Sequence, residues 1–420
     1  MTEWEGSGMD ESRKWPFAGW LLAITRCIHL IRKTGKETSL LLLASLFTLS
    51  CRTPFDPEVG DQRISILVVE GYLDTDGKRS ELKISRMAEL DSSNAYSPEL
   101  DAMVYLRSSS GTDYHLEEAG NGVYVFEQVL SFDQTYRLEI ELQNGERYQS
   151  DEIIPINTPE IIDAGFVKDE EGVEVFVNTQ GDENADDFLW TFQEDWIFRP
   201  YTLVPFIYDK TLREVRPRTE AEDIYTCYRT EPNPGILLET SSRFQDQVVF
   251  RQTITEIPEG DERIQARYSI LINQMAIPSD AVKFWEILKK NTEEIGSIFS
   301  PLPSVIAGNI HSVGGEESAV GQVNIGKVRQ RRIYINRIDV SPWNYVNELF
   351  YGCYIEEEPL LIGSFELHFK FENGTHLPAR PFMGDLAIGT SIIGYNAIET
   401  RCGDCRLYGS KVKPDFWEDE

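Results

Sequence analysis

The sequence predicts a mainly β protein, with an immunoglobulin-like β-sandwich over residues 64–158 and a larger β-rich domain over 159–420 that carries one clear α-helix. Three observations predict it. Apolar residues alternate with period two through most of the chain after Ile64, turn-forming pairs separate the alternating runs, and only residues 280–295 show clear helical spacing.

In the first unit the alternating sets are Ile64, Ile66 and Val68, then Leu82 and Ile84, Val104 and Leu106, Val123 and Val125, and Tyr136, Leu138, Ile140 and Leu142. Such runs bury one face of a strand. Asp76-Gly77 and Asn144-Gly145 fall between runs and predict two-residue hairpins in which both turn residues take positive φ. Roughly seven short strands in about 90 residues fit an immunoglobulin-like sandwich. Pro155 to Pro159 closes that unit.

The second domain opens with further strands. Phe188, Trp190 and Phe192, then Val248 to Thr253, Tyr268, Ile270 and Ile272, Ile333 and Ile335, and finally Phe365, Leu367, Phe369 and Phe371 mark them. His368 falls on the opposite face of that last run and reads as a solvated strand residue. Ser279 is the expected cap of the helix, Ala281, Phe284, Trp285, Leu288 and Ile295 its core stripe, and Gly296 its left-handed C-cap.

The N-terminus carries an export signal. Arg32-Lys33-Thr34-Gly35-Lys36 is basic, Leu40 to Leu49 is a ten-residue apolar run, and Ser50-Cys51 follows. A span needs about 20 apolar residues, so the run is a signal-peptide core. Cysteine at the cleavage point predicts a lipoprotein, whose thiol carries a diacylglyceryl group worth about 0.8 kcal/mol of membrane affinity per buried CH₂. Thr48 departs from the leucine usual at its position, and an ordinary buried cysteine after an apolar helix is the competing reading. Residues 1–30 carry Glu3, Glu5, Asp10 and Glu11 ahead of a second apolar stretch, which suits no signal peptide and suggests translation from near Leu30 or Ile31. Residues 1–51 are therefore the extension and signal, and residues 52–63, rich in Pro and acid, form an extended tether.

Composition narrows the function. With 40 Lys plus Arg against 70 Asp plus Glu, the chain carries a formal charge of −30, which argues against nucleic acid as a partner. No Gly-x-Ser-x-Gly elbow or His-Glu-x-x-His helix occurs, no cofactor is expected, and Gly321–Lys327 (GQVNIGK) imitates a phosphate loop with Val328 in place of its Ser or Thr. Calcium is the weak metal candidate, at Asp182, Asp186 and Asp187, against the plainer reading of a solvated loop. The turn Asp74-Thr75-Asp76-Gly77 lacks the rest of a calcium loop and reads as a hairpin. Cys227, Cys353, Cys402 and Cys405 are an even set in an exported chain and read as two disulfides, with three pairings open. Cys402-x-x-Cys405 also has the spacing of a redox pair or half a zinc site, but no βαβ pattern surrounds it and no second such pair exists. A bridge from this pair to Cys227 would close about 175 residues and contribute on the order of 4 to 5 kcal/mol. Residues 402–417 are thus expected to act as a clasp, with Pro414 setting direction and Phe416-Trp417 buried.

Several runs resemble an uncharacterised family of Bacteroidota outer-membrane lipoproteins known only as a domain of unknown function. They include Leu67 to Leu73 (LVVEGYL), Trp190 to Trp196 (WTFQEDW), Arg267 to Leu271, Phe284-Trp285-Glu286, Gly308-Asn309-Ile310, and the tail Cys402-Gly403-Asp404-Cys405-Arg406 with Pro414 and Phe416-Trp417. Tyr408-Gly409-Ser410 replaces a double glycine expected there. The resemblance implies a place in the outer membrane beside a TonB-dependent receptor, and together with the lipid anchor and the acidic tether it leads to the expectation of a non-enzymatic accessory or substrate-capturing partner of that β-barrel. A surface hydrolase using paired carboxylates about 5 to 10 Å apart and a structural adhesin-like module are the alternatives. An exposed apolar patch on the second domain would separate the first reading from the adhesin.

Overall fold

Strands β1 (Leu67–Asp74) and β2 (Ser80–Met87) begin a computed structural model that describes residues 66–87, 96–233, 235–293, 308–314, 319–345, 347–386 and 389–418. Cys51 and its signal, the tether, Ile64, Ile295 and Gly296 lie outside the described residues. Strands β3 (Tyr96–Pro98), β4 (Met103–Ser108), β5 (Asp113–Gly120), β6 (Val123–Phe126), β7 (Tyr136–Glu141) and β8 (Arg147–Ser150) follow. The chain is mainly β, as its alternation predicts.

These strands form two layers. One has the order β6-β2-β1 and the other β4-β7-β8, and β5 joins them, pairing with β4 through Asp113–Leu116 and with β6 through Glu117–Gly120. Leu82, Ile84, Val104, Leu106, Leu138 and Ile140 point inward into one core. Two of the expected sets are shifted by one residue. In β1 the buried residues are Leu67, Val69 and Leu73, and in β6 they are Tyr124 and Phe126, with Val123 and Val125 only half-buried. A run such as Ile-Leu-Val-Val has no intrinsic phase, and in β6 the larger aromatics take the core.

The sandwich is not confined to residues 64–158. Strand β18 (Ile310–Ser312) pairs with β8, and β19 (Ala319–Gly326) pairs in parallel with β1 from Leu67–Ala319 to Asp74–Gly326, so each layer gains an edge from far along the chain. Asn309 stitches these two edges together: its Nδ2 donates to the Val323 carbonyl at 2.8 Å and its Oδ1 accepts from the Val323 amide at 2.9 Å. Glycine is required beside it, because a Cβ on Gly308 would overlap the Gly321 carbonyl. The look-alike phosphate loop is therefore a buried strand. Its fully buried Val323 and Ile325 belong to the sandwich core.

The predicted turns differ in detail. Gly77 and Gly145 take positive φ, while Asp76 and Asn144 do not. At Asn144-Gly145 the Gly145 amide donates to Leu142 O and the Leu142 amide to Glu146 O, a three-residue loop with a glycine bulge.

A second sandwich follows. Its smaller sheet has the order β16 (Val248–Pro258), β10 (Gly172–Gln180), β9 (Ile161–Lys168). Its larger sheet is built on β11 (Asp187–Phe198), with β14 (Cys227–Pro232) and β15 (Leu237–Thr240) on one side and β17 (Arg267–Ile277) then β20 (Arg329–Asn336) on the other. Trp190, Trp196, Tyr268, Ile270 and Ile272 meet Val173, Val175 and Val177 in the core. One buried amide is fully used there: Gln274 accepts from Trp190 Nε1 at 3.0 Å and donates to Thr179 Oγ1 at 2.9 Å and Pro159 O at 3.0 Å. Asp74 ties the two sandwiches, accepting from the Asp76, Lys78 and Val328 amides.

The helix predicted at 280–295 is α1 (Ser279–Glu293), with Ala281 buried and Trp285 half-buried against Leu189, Met275 and Ile277, and with Phe284 buried as well. Ser279 is its first residue, not a cap, and donates to Asp187 Oδ2 at 2.8 Å, because Pro278 O already opens the helix by accepting from the Ala281 amide. Two more helices occur among the described residues, α2 (Phe365–Glu372) and α3 (Thr400–Gly403). They accompany a small β unit: the hairpin of β12 (Phe206–Asp209) and β13 (Glu214–Pro217), and the sheet of β21 (Leu360–Leu361), β23 (Gly389–Glu399) and β22 (His376–Leu386). No helix among the described residues is long and apolar enough to cross a membrane.

Candidate docking face and C-terminal clasp

Helix α2 is the largest departure from the expected elements. Phe365, Leu367, Phe369 and Phe371 alternate, yet the backbone is helical. Ser364 accepts from the Leu367 amide at 3.2 Å as N-cap, and Gly374, at φ 70°, ends the segment. The four positions then split between two faces of one helix. Leu367 and Phe371 are buried with Tyr208, Leu360 and Tyr395, whereas Phe365 and Phe369, one turn apart, point to solvent. His368 is correspondingly not a solvated strand residue. Its Nδ1 lies 2.9 Å from Tyr208 Oη and pins the helix to β12.

The outward face of α2 carries an exposed aromatic pair flanked by the exposed carboxylates Glu366 and Glu372. Phe365 is 82% exposed and Phe369 57%, with stacked rings whose centroids are 5.9 Å apart. Leu361 and Ile362 are exposed just before the cap, and Ile362 is held by its amide to Ile393 O at 2.9 Å. The aromatic pair is therefore carried on a pinned helix over a packed core. The cap-to-glycine frame, Ser364 and Gly374, is the sequence signal that marks this helix.

The four cysteines pair as Cys227–Cys405 and Cys353–Cys402. Cys402 and Cys405 thus bond to different partners, and neither the vicinal redox pair nor a zinc half-site is formed. The bridges hold α3 and the 3-10 turn after it. Asp404, 5% exposed, caps that turn and takes Arg406 on both oxygens at 2.9 and 2.7 Å.

From there the tail crosses the larger sheet. Ser410 exchanges backbone bonds with Tyr228 at 2.8 and 2.9 Å, and Lys411 reaches Asp223 at 2.7 Å. Gly409 sits against the Tyr228 carbonyl and Cys227, so one of the two glycines expected there meets the steric need and Ser410 serves at the other. Trp417 is buried edge-on against Tyr228 and Tyr334, Tyr334 Oη donates to Phe416 O at 2.7 Å, and the Arg332 guanidinium lies 3.5 Å from the Phe416 ring centre. Of the pair expected to bury together, Trp417 is buried and Phe416 is half-buried.

Two buried carboxylates on β11 face opposite sides of the sheet. Glu194 accepts from Arg263 at 2.6 Å and Tyr268 Oη at 2.7 Å, and Asp195 accepts from Thr230 at 2.7 Å and Arg332 at 3.0 Å. Burial opposes the charge on Arg263, but its bonds to Asp261 and the field of Glu194 more than offset that and raise its pKa. Burial, then the charge of Glu194, drives the Tyr268 phenol well above its usual range, which keeps it a hydrogen donor. Both carboxylates are committed to these bonds.

The other singled-out residues stay apart. Asp182 accepts from the Asn184 amide at 2.8 Å, Asp186 uses its carbonyl on Ser241, and Asp187 is buried against Ser279, so the calcium candidates do not converge. No group of three or more metal-ligating side chains is placed together among the described residues. His115 lies beside Tyr105, His311 beside Asp151 and His376 beside Glu356, at separate sites.

Comparison with known proteins gives a family. A family model described as "Domain of unknown function (DUF4249)" matches residues 52–332. The chain belongs to the DUF4249 family. The match ends within β20, so α2, both partners of the Cys353–Cys402 bridge and the clasp of this DUF4249 chain lie beyond it. No curated protein matches it. Among solved structures, a two-domain fibronectin type III segment of chicken tenascin aligns with 51% of the DUF4249 chain and 91% of its own, at 13% identity and a TM-score of 0.14. A structure described as manganese lipoxygenase of Gaeumannomyces graminis with partial zonadhesin of Komagataella pastoris aligns with 64% and 94%, at 11% identity and 0.17. Alignments this loose bear on neither fold nor function.

Proposed function

We propose that this DUF4249 chain is an exported lipoprotein of a Bacteroidota-type bacterium, anchored through Cys51 in the outer membrane, that acts without catalysis as the accessory or substrate-capturing partner of a TonB-dependent β-barrel receptor. The observation that carries the docking part of this reading is the pair Phe365 and Phe369, exposed and stacked on a helix whose other face is fixed. Large aromatics left in water on an acidic, soluble body mark a surface that a partner covers. An adhesin-like spacer has no use for such a face. Two long-range disulfides accord with an oxidising compartment, and the buried carboxylates Glu194 and Asp195 are engaged in holding β11.

Anchoring is tested by Cys51→Ser. Because Cys51 precedes the compact unit that starts at Arg63, the variant is expected to move from the membrane to the soluble fraction with an unchanged melting temperature. Affinity purification of the wild type after mild solubilisation should recover a large outer-membrane barrel. Continued membrane association of the variant, or recovery of no barrel by the wild type, would overturn the respective half of the reading.

A further inference from the structure

Beside the tail, the larger sheet carries an open-sided cavity of about 360 Å³ lined by Arg199, Tyr228, Arg267, Arg337, Trp417 and Glu418. We propose that it is a binding site for a small ring-bearing oxyanion, a carboxylate or sulfate whose charge meets Arg267 and whose ring lies against Trp417 and Tyr228.

The case rests first on Arg267. This side chain is 8% exposed, and its Nε and Nη1 are buried with no hydrogen-bond partner among the described residues. Its guanidinium carbon instead lies over the Tyr334 ring, 4.6 Å from the centroid. A guanidinium cannot shed its proton, so a buried one without an anion stays both charged and unsatisfied. Arg199 repeats the pattern, with a buried, partnerless Nε and its guanidinium carbon 5.5 Å from the Tyr225 ring centre, and that of the exposed Arg337 lies 4.9 Å from the Tyr345 ring centre.

None of the three forms an ion pair with a described carboxylate, although the chain carries 70 acids to 40 bases and most of the other described arginines are paired, as are Arg263, Arg332 and Arg406. The buried Arg267 and half-buried Arg199, with the exposed Arg337 at the rim, each beside a tyrosine ring, put three guanidinium forks around one cavity, a donor set suited to a planar or tetrahedral oxyanion. The volume suits a ligand of one small ring, and the walls supplied by Tyr228 and Trp417 are aromatic. Glu418, exposed, is the acidic residue at the site, and the anion would bind against its repulsion.

The test is calorimetric titration and thermal melting of the full mature chain with sodium sulfate, galacturonate and, as the neutral control, galactose. Sulfate or galacturonate is expected to bind and to raise the melting temperature, galactose is not, and Arg267→Gln should weaken binding at least tenfold and abolish the thermal shift. Removing an uncompensated buried charge should leave the anion-free Arg267→Gln protein at least as stable as the wild type. If that variant fails to fold, Arg199→Gln supplies the same reading, with a several-fold loss expected. Equal binding by wild type and variants, no binding of either anion, or binding that emerges only when Glu418, Asp419 and Glu420 are replaced by Gln would each overturn the proposal, the last by giving the site to the chain's own tail.

Discussion

Replacing Cys227 and Cys405 together by Ala is expected to lower the melting temperature by about 10 °C, at roughly 2 °C for each kcal/mol in a chain of this size. The bridge spans 178 residues, and the chain-entropy treatment assigns a loop of that length about 5 kcal/mol. Alanine is the right probe, because both sulfurs are fully buried and serine would leave two hydroxyls without partners. The Cys353→Ala, Cys402→Ala pair opens a loop of only 49 residues and should cost less, about 4 kcal/mol. Differential scanning calorimetry of both double variants gives the order, and a reversed order or an unchanged melting temperature would show that the clasp adds nothing to stability.

Asp195→Ala is expected to destabilise the body by about 3 to 5 kcal/mol in urea unfolding, because it strands a charge beside the centre of the larger sheet. Asp195 is 1% exposed and takes Thr230 and Arg332, and Arg332 in turn lies under Phe416. The loss should therefore loosen the tail, seen as faster proteolysis within residues 411–418. Asp195→Asn keeps an acceptor toward Thr230 and should cost distinctly less. A change below about 1 kcal/mol in the alanine variant would mean that Arg332 finds another partner and that the network is not what holds the tail.

Much of this fold is legible in the sequence where chemistry leaves one choice. Leu138 and Ile140, or Leu82 and Ile84, alternate with charged or polar residues, and each falls on the buried face that the alternation predicts. The phase fails where all neighbours are apolar, as around Leu67 and Val69, since a strand between two others has little to set its register locally. Strand β19 escapes for a different reason. Its pairing with β1 joins residues about 250 apart, and no local pattern encodes a partner that distant. At α2, period two and period four share every second position, so Phe365 to Phe371 fits either, and the cap Ser364 and the glycine at 374 decide. The long bridge to Cys227 is legible because cysteine chemistry and loop entropy point to the longest closure. The arginines of the cavity were not, since only the fold shows that Arg199, Arg267 and Arg337 meet.

The docking face is tested most directly by placing a photo-crosslinking residue at Phe365, and in parallel at Phe369, in the native host and irradiating intact cells. The face proposed here predicts one dominant high-mass adduct, containing an outer-membrane barrel, from both positions and none from exposed Glu117 on the first sandwich. Adducts from Glu117 alone, or no adduct from either phenylalanine position while the protein remains folded and anchored, would contradict it.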